Sequence, residues 1–287
     1  MGRILRQNAP VWTCPTCRRT IDTRYCPTCG EQARSPHELT LRGLLEQVFE
    51  AFTSIDGRLL RTFHWLVSRP GALTVAFLEG RRKPFLGPVA LFLVANVMFF
   101  AVESLTHGLV FSTPLASHLE TQPWSGLARE LVARHVASEQ TTMAVYAPRF
   151  DGAIALHARS LILLMALAFA PWPALVFRRR RQPFAAHVVF SLHLYAFLLL
   201  LLSIGNFIPA IGMPFGAERS ASPVLDAWLS IALVLLCGGY LYLAIGRVYG
   251  GRTAGRVISA GVLTVGVTAI VLGYRFALLL ITLYTTA

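Results

Sequence analysis

Five apolar stretches, each near the length that crosses a bilayer, constrain this chain more than anything else in it. They run from about Leu86 to Phe111, Leu161 to Phe177, Val188 to Ile208, Val224 to Ile245 and Val257 to Ile281. At 1.5 Å of rise per residue, about 20 apolar residues span the roughly 30 Å hydrocarbon core, where a helix satisfies its own backbone polar groups. The stretches predict an all-α polytopic membrane protein built on a five-helix transmembrane bundle. Composition agrees: 55% of the 287 residues are hydrophobic and 14% charged, where a soluble domain carries about 25% charged residues.

The formal net charge of +12 would point to nucleic acid in a soluble chain. Here its placement sets orientation instead, because short loops rich in Lys and Arg stay on the cytoplasmic side. With the N-terminus inside, the segment before the first span and the loops at Arg178 to Arg181 and Arg247 to Arg256 are all cytoplasmic and basic. Only Arg129, Arg134, Arg149, Arg159 and Arg219 fall outside, with Arg275 in or at the end of the last span. Met1 to Val11 lacks the apolar core of roughly 7–15 residues that a signal peptide needs. The expected topology is a multi-pass bacterial inner-membrane protein with a cytoplasmic N-terminus and an external C-terminus. The arginine run at 178–181 reads as a stop signal beside the lipid headgroups.

Ahead of the spans stands "CPTCRRTIDTRYCPTCG". Cys14 and Cys17, then Cys26 and Cys29, form two C-x-x-C pairs with matched Pro-Thr interiors. Two such turns facing one another make the tetrahedral thiolate cage that zinc favours, and a reducing cytoplasm keeps the thiols available. Four thiolates close the site, so the Zn2+ is structural and no position is left for substrate. With few apolar residues nearby, the metal would supply most of this module's folding free energy, on the order of 10 kcal/mol. Cys237 lies in an apolar run and reads as a packing residue.

Between the cysteines and the first span, apolar residues recur at helical spacing. Leu41, Leu44, Leu45, Val48, Phe49 and Phe52 share one face, and Leu59, Leu60, Phe63, Leu66 and Val67 repeat the pattern until "RPG" at Arg69 to Gly71 stops it. A third short helix, "ALTVAFLEG", ends at Gly80. These helices either lie along the inner leaflet or pack on the ends of the spans. The domain plan is a zinc ribbon over residues 1–35, an amphipathic platform over 36–85 and a spanning region over 86–287. An outer loop at about 112–158 carries one more amphipathic helix, with Trp124, Leu127, Leu131 and His135 on its apolar face.

Polar residues inside spans are costly and therefore informative. Asn96, Glu103, His193, Asn206 and Arg275 are the candidates. Counted from the starts of their spans, Glu103 and Arg275 reach similar depths, which predicts that they pair.

The stretch from Cys14 to Leu93 resembles an uncharacterised bacterial membrane family, a domain-of-unknown-function group with an N-terminal zinc ribbon and a multi-span region. The resemblance rests on the ribbon, "DGRLLRT" at Asp56 to Thr62, "RPG", "FLEGRRKPF" at Phe77 to Phe85, and Pro88. It implies the layout already derived and brings no activity with it.

No nucleophile elbow, phosphate loop or His-Glu metalloprotease helix is present. The preferred reading is a non-enzymatic scaffold that recruits or regulates a protein partner through the ribbon and also meets anionic lipids at the inner leaflet, with nucleic acid disfavoured. Asp56, Arg61, Arg69, Pro70, Gly71, Gly80, Arg81 and Arg82 form the candidate contact surface. A small-solute transporter or channel lined by the intramembrane polar residues is the alternative, and a lipid-modifying enzyme a further one.

Overall fold

The computed structural model describes residues 11–23, 25–31, 57–106, 111–210 and 223–286. The helix expected at Leu41 to Phe52 and the candidate contact residue Asp56 lie outside them. A two-stranded antiparallel ribbon, β1 (Trp12–Thr13) and β2 (Thr20–Ile21), precedes an otherwise helical chain. Two helices follow, α1 (Arg58–Ser68) and α2 (Ala72–Leu78), and then the first long apolar helix, α3 (Pro88–Thr106). Next come α4 (Leu115–Glu120), α5 (Ser125–Ser138), α6 (Met143–Phe169) and α7 (Pro171–Val176). A 3-10 turn (Arg178–Arg180) leads into α8 (Phe184–Ala210), α9 (Pro223–Val248) and α10 (Thr253–Thr285).

Four of these helices are long and apolar enough to cross a membrane: Pro88–Thr106, Phe184–Phe207, Trp228–Val248 and Thr253–Thr285. The remaining expected span, Leu161 to Phe177, forms the second half of a bent pair. Met143–Arg159 and Leu161–Val176 meet at 50° and make five spans only if they count as one. The first of these segments carries Arg149, Asp151, His157 and Arg159, which keep it from reading as an apolar span, and the second is interrupted again, well past the bend, where Pro171 and Pro173 begin α7. Pro171 lacks the N–H that would continue the ladder. Ala170 N–H turns to the Leu167 carbonyl instead, and the Ala166 carbonyl so released accepts the Ser191 hydroxyl from α8.

The α8 helix is the hub, packing against α3, α6 and α9, while α10 bridges α9 and α6. Its apolar window is 67% buried, against 39% or less for the other three clear spans, which explains why α8 can carry polar residues. Each of four makes a hydrogen bond. His187 Nδ1 meets the Tyr249 hydroxyl at 2.8 Å, Ser191 the Ala166 carbonyl, His193 Nδ1 the Thr74 hydroxyl at 2.8 Å, and Ser203 the Leu199 carbonyl at 2.8 Å.

The platform packs on the bundle. α2 wedges between α8 and α9, and α1 packs on α2 and α8. Leu66 and Thr62 face inward, while Leu60 and Val67 remain 76% and 55% exposed, available to lipid. The wedge begins at Gly71, whose φ of +80° suits glycine. It ends in a Schellman cap, in which Gly80 N–H bonds the Phe77 carbonyl and Arg81 N–H the Ala76 carbonyl. The Thr74–His193 bond fixes its depth. Thr74→Val is expected to leave His193 Nδ1 buried without its partner and to destabilise the protein by about 1–3 kcal/mol, read as a lowered unfolding midpoint in detergent. Thr74→Ser should restore most of the loss.

At the other end of the bundle, α4 and α5 cover the helix ends. The amphipathic helix expected in this loop is present as α5, but its packed face centres on Ala128 and Val132. Trp124, Leu131 and His135 are half-buried, and Leu127 is 49% exposed. Small residues let α5 approach its neighbours closely, and a single exposed leucine is ordinary on a protein surface. His135 Nε2 hydrogen-bonds the Thr286 carbonyl at 3.1 Å, satisfying a carbonyl just beyond α10.

Candidate metal centre

The ribbon repeats one local structure twice. In the first knuckle Cys14 N–H bonds the Arg19 carbonyl and Arg18 N–H the Cys14 carbonyl. In the second, Cys26 N–H bonds the Glu31 carbonyl and Gly30 N–H the Cys26 carbonyl. Each turn is closed by a residue with positive φ, Arg18 at +59° and Gly30 at +71°. Pro-Thr between the cysteines starts the turn, and the left-handed residue returns the chain so that both thiols of a pair face inward.

The four sulfurs lie within 4.8 Å of one another. Cys14 Sγ and Cys29 Sγ are 3.5 Å apart, Cys17 and Cys26 3.4 Å, and Cys17 and Cys29 4.0 Å. These separations exceed the S–S bond length of about 2.05 Å. They bracket the edge of about 3.8 Å expected for a tetrahedron with metal–sulfur distances near 2.3 Å. The four cysteines therefore form a cage that can hold a metal ion. Its surrounding core is minimal: Ile21 and the half-buried Trp12 are its only apolar members besides the cysteines among the described residues.

Electrostatics favour a cation here. Burial opposes ionisation of Cys26, but the Cys29 and Thr28 amides and neighbouring thiols outweigh it and lower the pKa to about 6. Burial pushes Cys29 up to about 12, with Cys14, Cys26 and Cys17 adding to the rise. One thiolate forms readily and those after it repel one another, so a divalent ion entering the cage stabilises the full set and displaces protons.

The cage is docked on the helical part of the protein. Glu31, 3% exposed, follows the second knuckle. Its Oε2 accepts the Thr16 hydroxyl at 2.7 Å and the backbone N–H groups of Arg82 at 3.2 Å and Lys83 at 3.3 Å. Pro15 of the first knuckle lies against Gly80, with its Cγ 3.7 Å from where a Cβ would stand. One carboxylate thus joins both knuckles to the turn between α2 and α3. Glu31→Ala leaves all four thiols in place, so the metal should stay, while the docked turn loosens by about 1.5–3 kcal/mol. Tryptic cleavage after Arg81 and Arg82 is expected to accelerate roughly 10- to 100-fold, because cleavage follows the population of the opened turn.

The remaining candidate residues fall into separate places. Arg61 and Arg69 are exposed, and Arg69 lies 4.6 Å over the Trp65 ring. Pro70, Gly71 and Gly80 are buried, and Arg81 and Arg82 are half-buried. Arg81 pairs with Glu79 at 2.5 Å, and Arg82 stacks 4.8 Å over Phe77. Asn96 is half-buried on α3, and Asn206 is buried on α8, with no partner for its Nδ2 among the described residues. Glu103 and Arg275 lie within each other's electrostatic field. Glu103 also accepts the Phe111 N–H at 3.3 Å. His118, also within the field of Arg275, is completely buried, and burial followed by that positive charge lowers its pKa to about 4. Neutral His118 accepts the Trp124 indole N–H at 3.2 Å. Glu31 and Thr74 were not among the candidates. Glu31 carried one signal, a carboxylate set beside four thiols, which is unfavourable unless donors hold it.

A family model described as a protein of unknown function (DUF3667) matches residues 56–100. The matched segment takes in the α2 wedge, the turn on which Glu31 docks and most of α3. No curated protein and no solved structure matches the chain.

Proposed function

We propose that this protein is a non-enzymatic scaffold of a bacterial inner membrane, in which a structural zinc ribbon on the cytoplasmic side recruits or regulates a protein partner. The observation that carries the reading is a four-thiol cage with no open position, held to the α2–α3 turn by Glu31. A closed cage performs no chemistry on a substrate, and a docked ribbon presents a surface of fixed orientation. The ribbon exposes Arg18 and Arg19 and also the apolar side chains of Val11 and Tyr25. This combination suits an acidic protein face with an apolar contact. Zinc is the metal of choice because four thiolates at tetrahedral spacing match its ligand preference.

Cross-linking in cells tests the proposal. The intact protein should capture a defined partner that a Cys26→Ser variant of equal membrane abundance does not, and the same partners with either ribbon would sink it. Transport is the second reading, favoured by the Glu103–Arg275 neighbours and by the buried Asn206 amide. Solute flux in vesicles that Arg275→Ala abolishes would support it.

A further inference from the structure

Two turns at the ribbon end of the bundle bring arginines together. The α7–α8 turn carries Arg178, Arg179, Arg180 and Arg181, and the α9–α10 turn carries Arg252, with Arg256 one helical turn beyond. The fold locks the two turns side by side. Phe177 stacks flat on Tyr249, ring centroids 4.0 Å apart and planes within 9°, and His187 stacks on the same tyrosine and hydrogen-bonds its hydroxyl. Arg180 Nη2 lies 3.8 Å from where a Cβ on Gly251 would stand, and Gly251 has a φ of +110°. Arg256 lies over the Tyr242 ring and against Gly246. Among the described residues no carboxylate pairs with any of the six arginines. Holding like charges together in this way is unfavourable unless an anion joins them.

Within a turn of the arginines, the surface becomes apolar. Leu175 at the end of α7, Phe184 at the start of α8, and Val257 and Ile258 in the second turn of α10 are 67%, 51%, 57% and 66% exposed. A soluble anion or a nucleic acid would cover the guanidinium groups and leave these side chains in water. A phospholipid covers both. We propose that the α7–α8 and α9–α10 turns together bind the headgroup of an anionic phospholipid, its acyl chains lying along the exposed residues of α7, α8 and α10. Guanidinium forks suit phosphate oxygens, and basic clusters between the ends of spans are where such headgroups settle. This site is separate from the ribbon and independent of its partner.

The test uses the full chain in neutral detergent, with lipid retention read by native mass spectrometry against phosphatidylglycerol and phosphatidylcholine at physiological salt. The intact protein should retain phosphatidylglycerol at least tenfold better. Each arginine near the surface contributes about fivefold, so R180Q/R252Q should lose at least tenfold, whereas R180K/R252K keeps most of the preference and R129Q/R134Q on α5 keeps all of it. If R180Q/R252Q unfolds, the single variant R179Q, which alters only an exposed side chain, should still lose about fivefold. Equal retention of the two lipids, an R180Q/R252Q or R179Q variant that binds like the parent, or displacement of the lipid by inorganic phosphate or a short oligonucleotide at equal concentration would overturn the assignment.

Discussion

Cys26→Ser is expected to empty the cage and unfold the ribbon while the helices stay assembled. Metal content should fall from about one ion per chain to none, because three thiolates and a hydroxyl no longer match the ligand set zinc prefers. Despite burial, the amides of its knuckle lower the Cys26 pKa to about 6, so the substitution also removes a readily ionised ligand. The ribbon has no other source of stability on this scale. Two paired residues in each strand and a core of Ile21 and Trp12 supply a few kcal/mol at most, against roughly 10 kcal/mol from a bound structural metal. Helical circular dichroism should barely change, since the described residues of the ribbon contribute no helix, and metal analysis on the same sample reads the loss directly.

Gly71→Ala should be the most damaging single change in the helical part. A Cβ there would stand 2.8 Å from the Ala244 carbonyl oxygen and 2.9 Å from the Ala244 Cα, both backbone atoms of α9. No side chain can rotate away to relieve the clash. The φ of +80° adds strain for any residue with a Cβ. The neighbouring contacts hold the wedge in place, because Arg247 donates to the Pro70 carbonyl at 2.7 Å and the Gly71 N–H is directed at the Tyr240 hydroxyl. Overpacking and left-handed strain together cost about 2–5 kcal/mol. Thermal unfolding in detergent should show a large drop, whereas Gly126→Ala, inside α5 with nothing within 4 Å of the added carbon, should be neutral or slightly stabilising.

These two sites show what was legible in the sequence. The cage follows from the spacing of the cysteines, since ligand spacing within a short segment is a local property. Four spans follow from apolar length for the same reason. The bent segment from Met143 to Val176 was harder to read, because its charged first half and its paired prolines each interrupt the apolar run. The wedge was not legible. "RPG" announces a helix stop, but nothing local says that Gly71 will meet Ala244, or that Thr74 will bond a histidine 119 residues away. Glu31 presents the same difficulty, since its donors at Arg82 and Lys83 stand 51 and 52 residues further along. The packed face of α5 was obscured for a different reason. A lone exposed leucine is ordinary on a protein surface, so the large apolar residues do not by themselves mark the packed face, and Ala128 and Val132 mark it instead.

Metal in the ribbon and order in the α2–α3 turn are expected to form one coupled structure, joined at Glu31. Hydrogen exchange at the Arg82 and Lys83 amides, compared between zinc-loaded protein and the same protein after chelation, tests it most directly. The coupling requires both amides to be protected in the loaded protein and to exchange at least tenfold faster after the metal is removed, for a docking contribution of about 1.5–3 kcal/mol. Equal exchange in the two samples would contradict it.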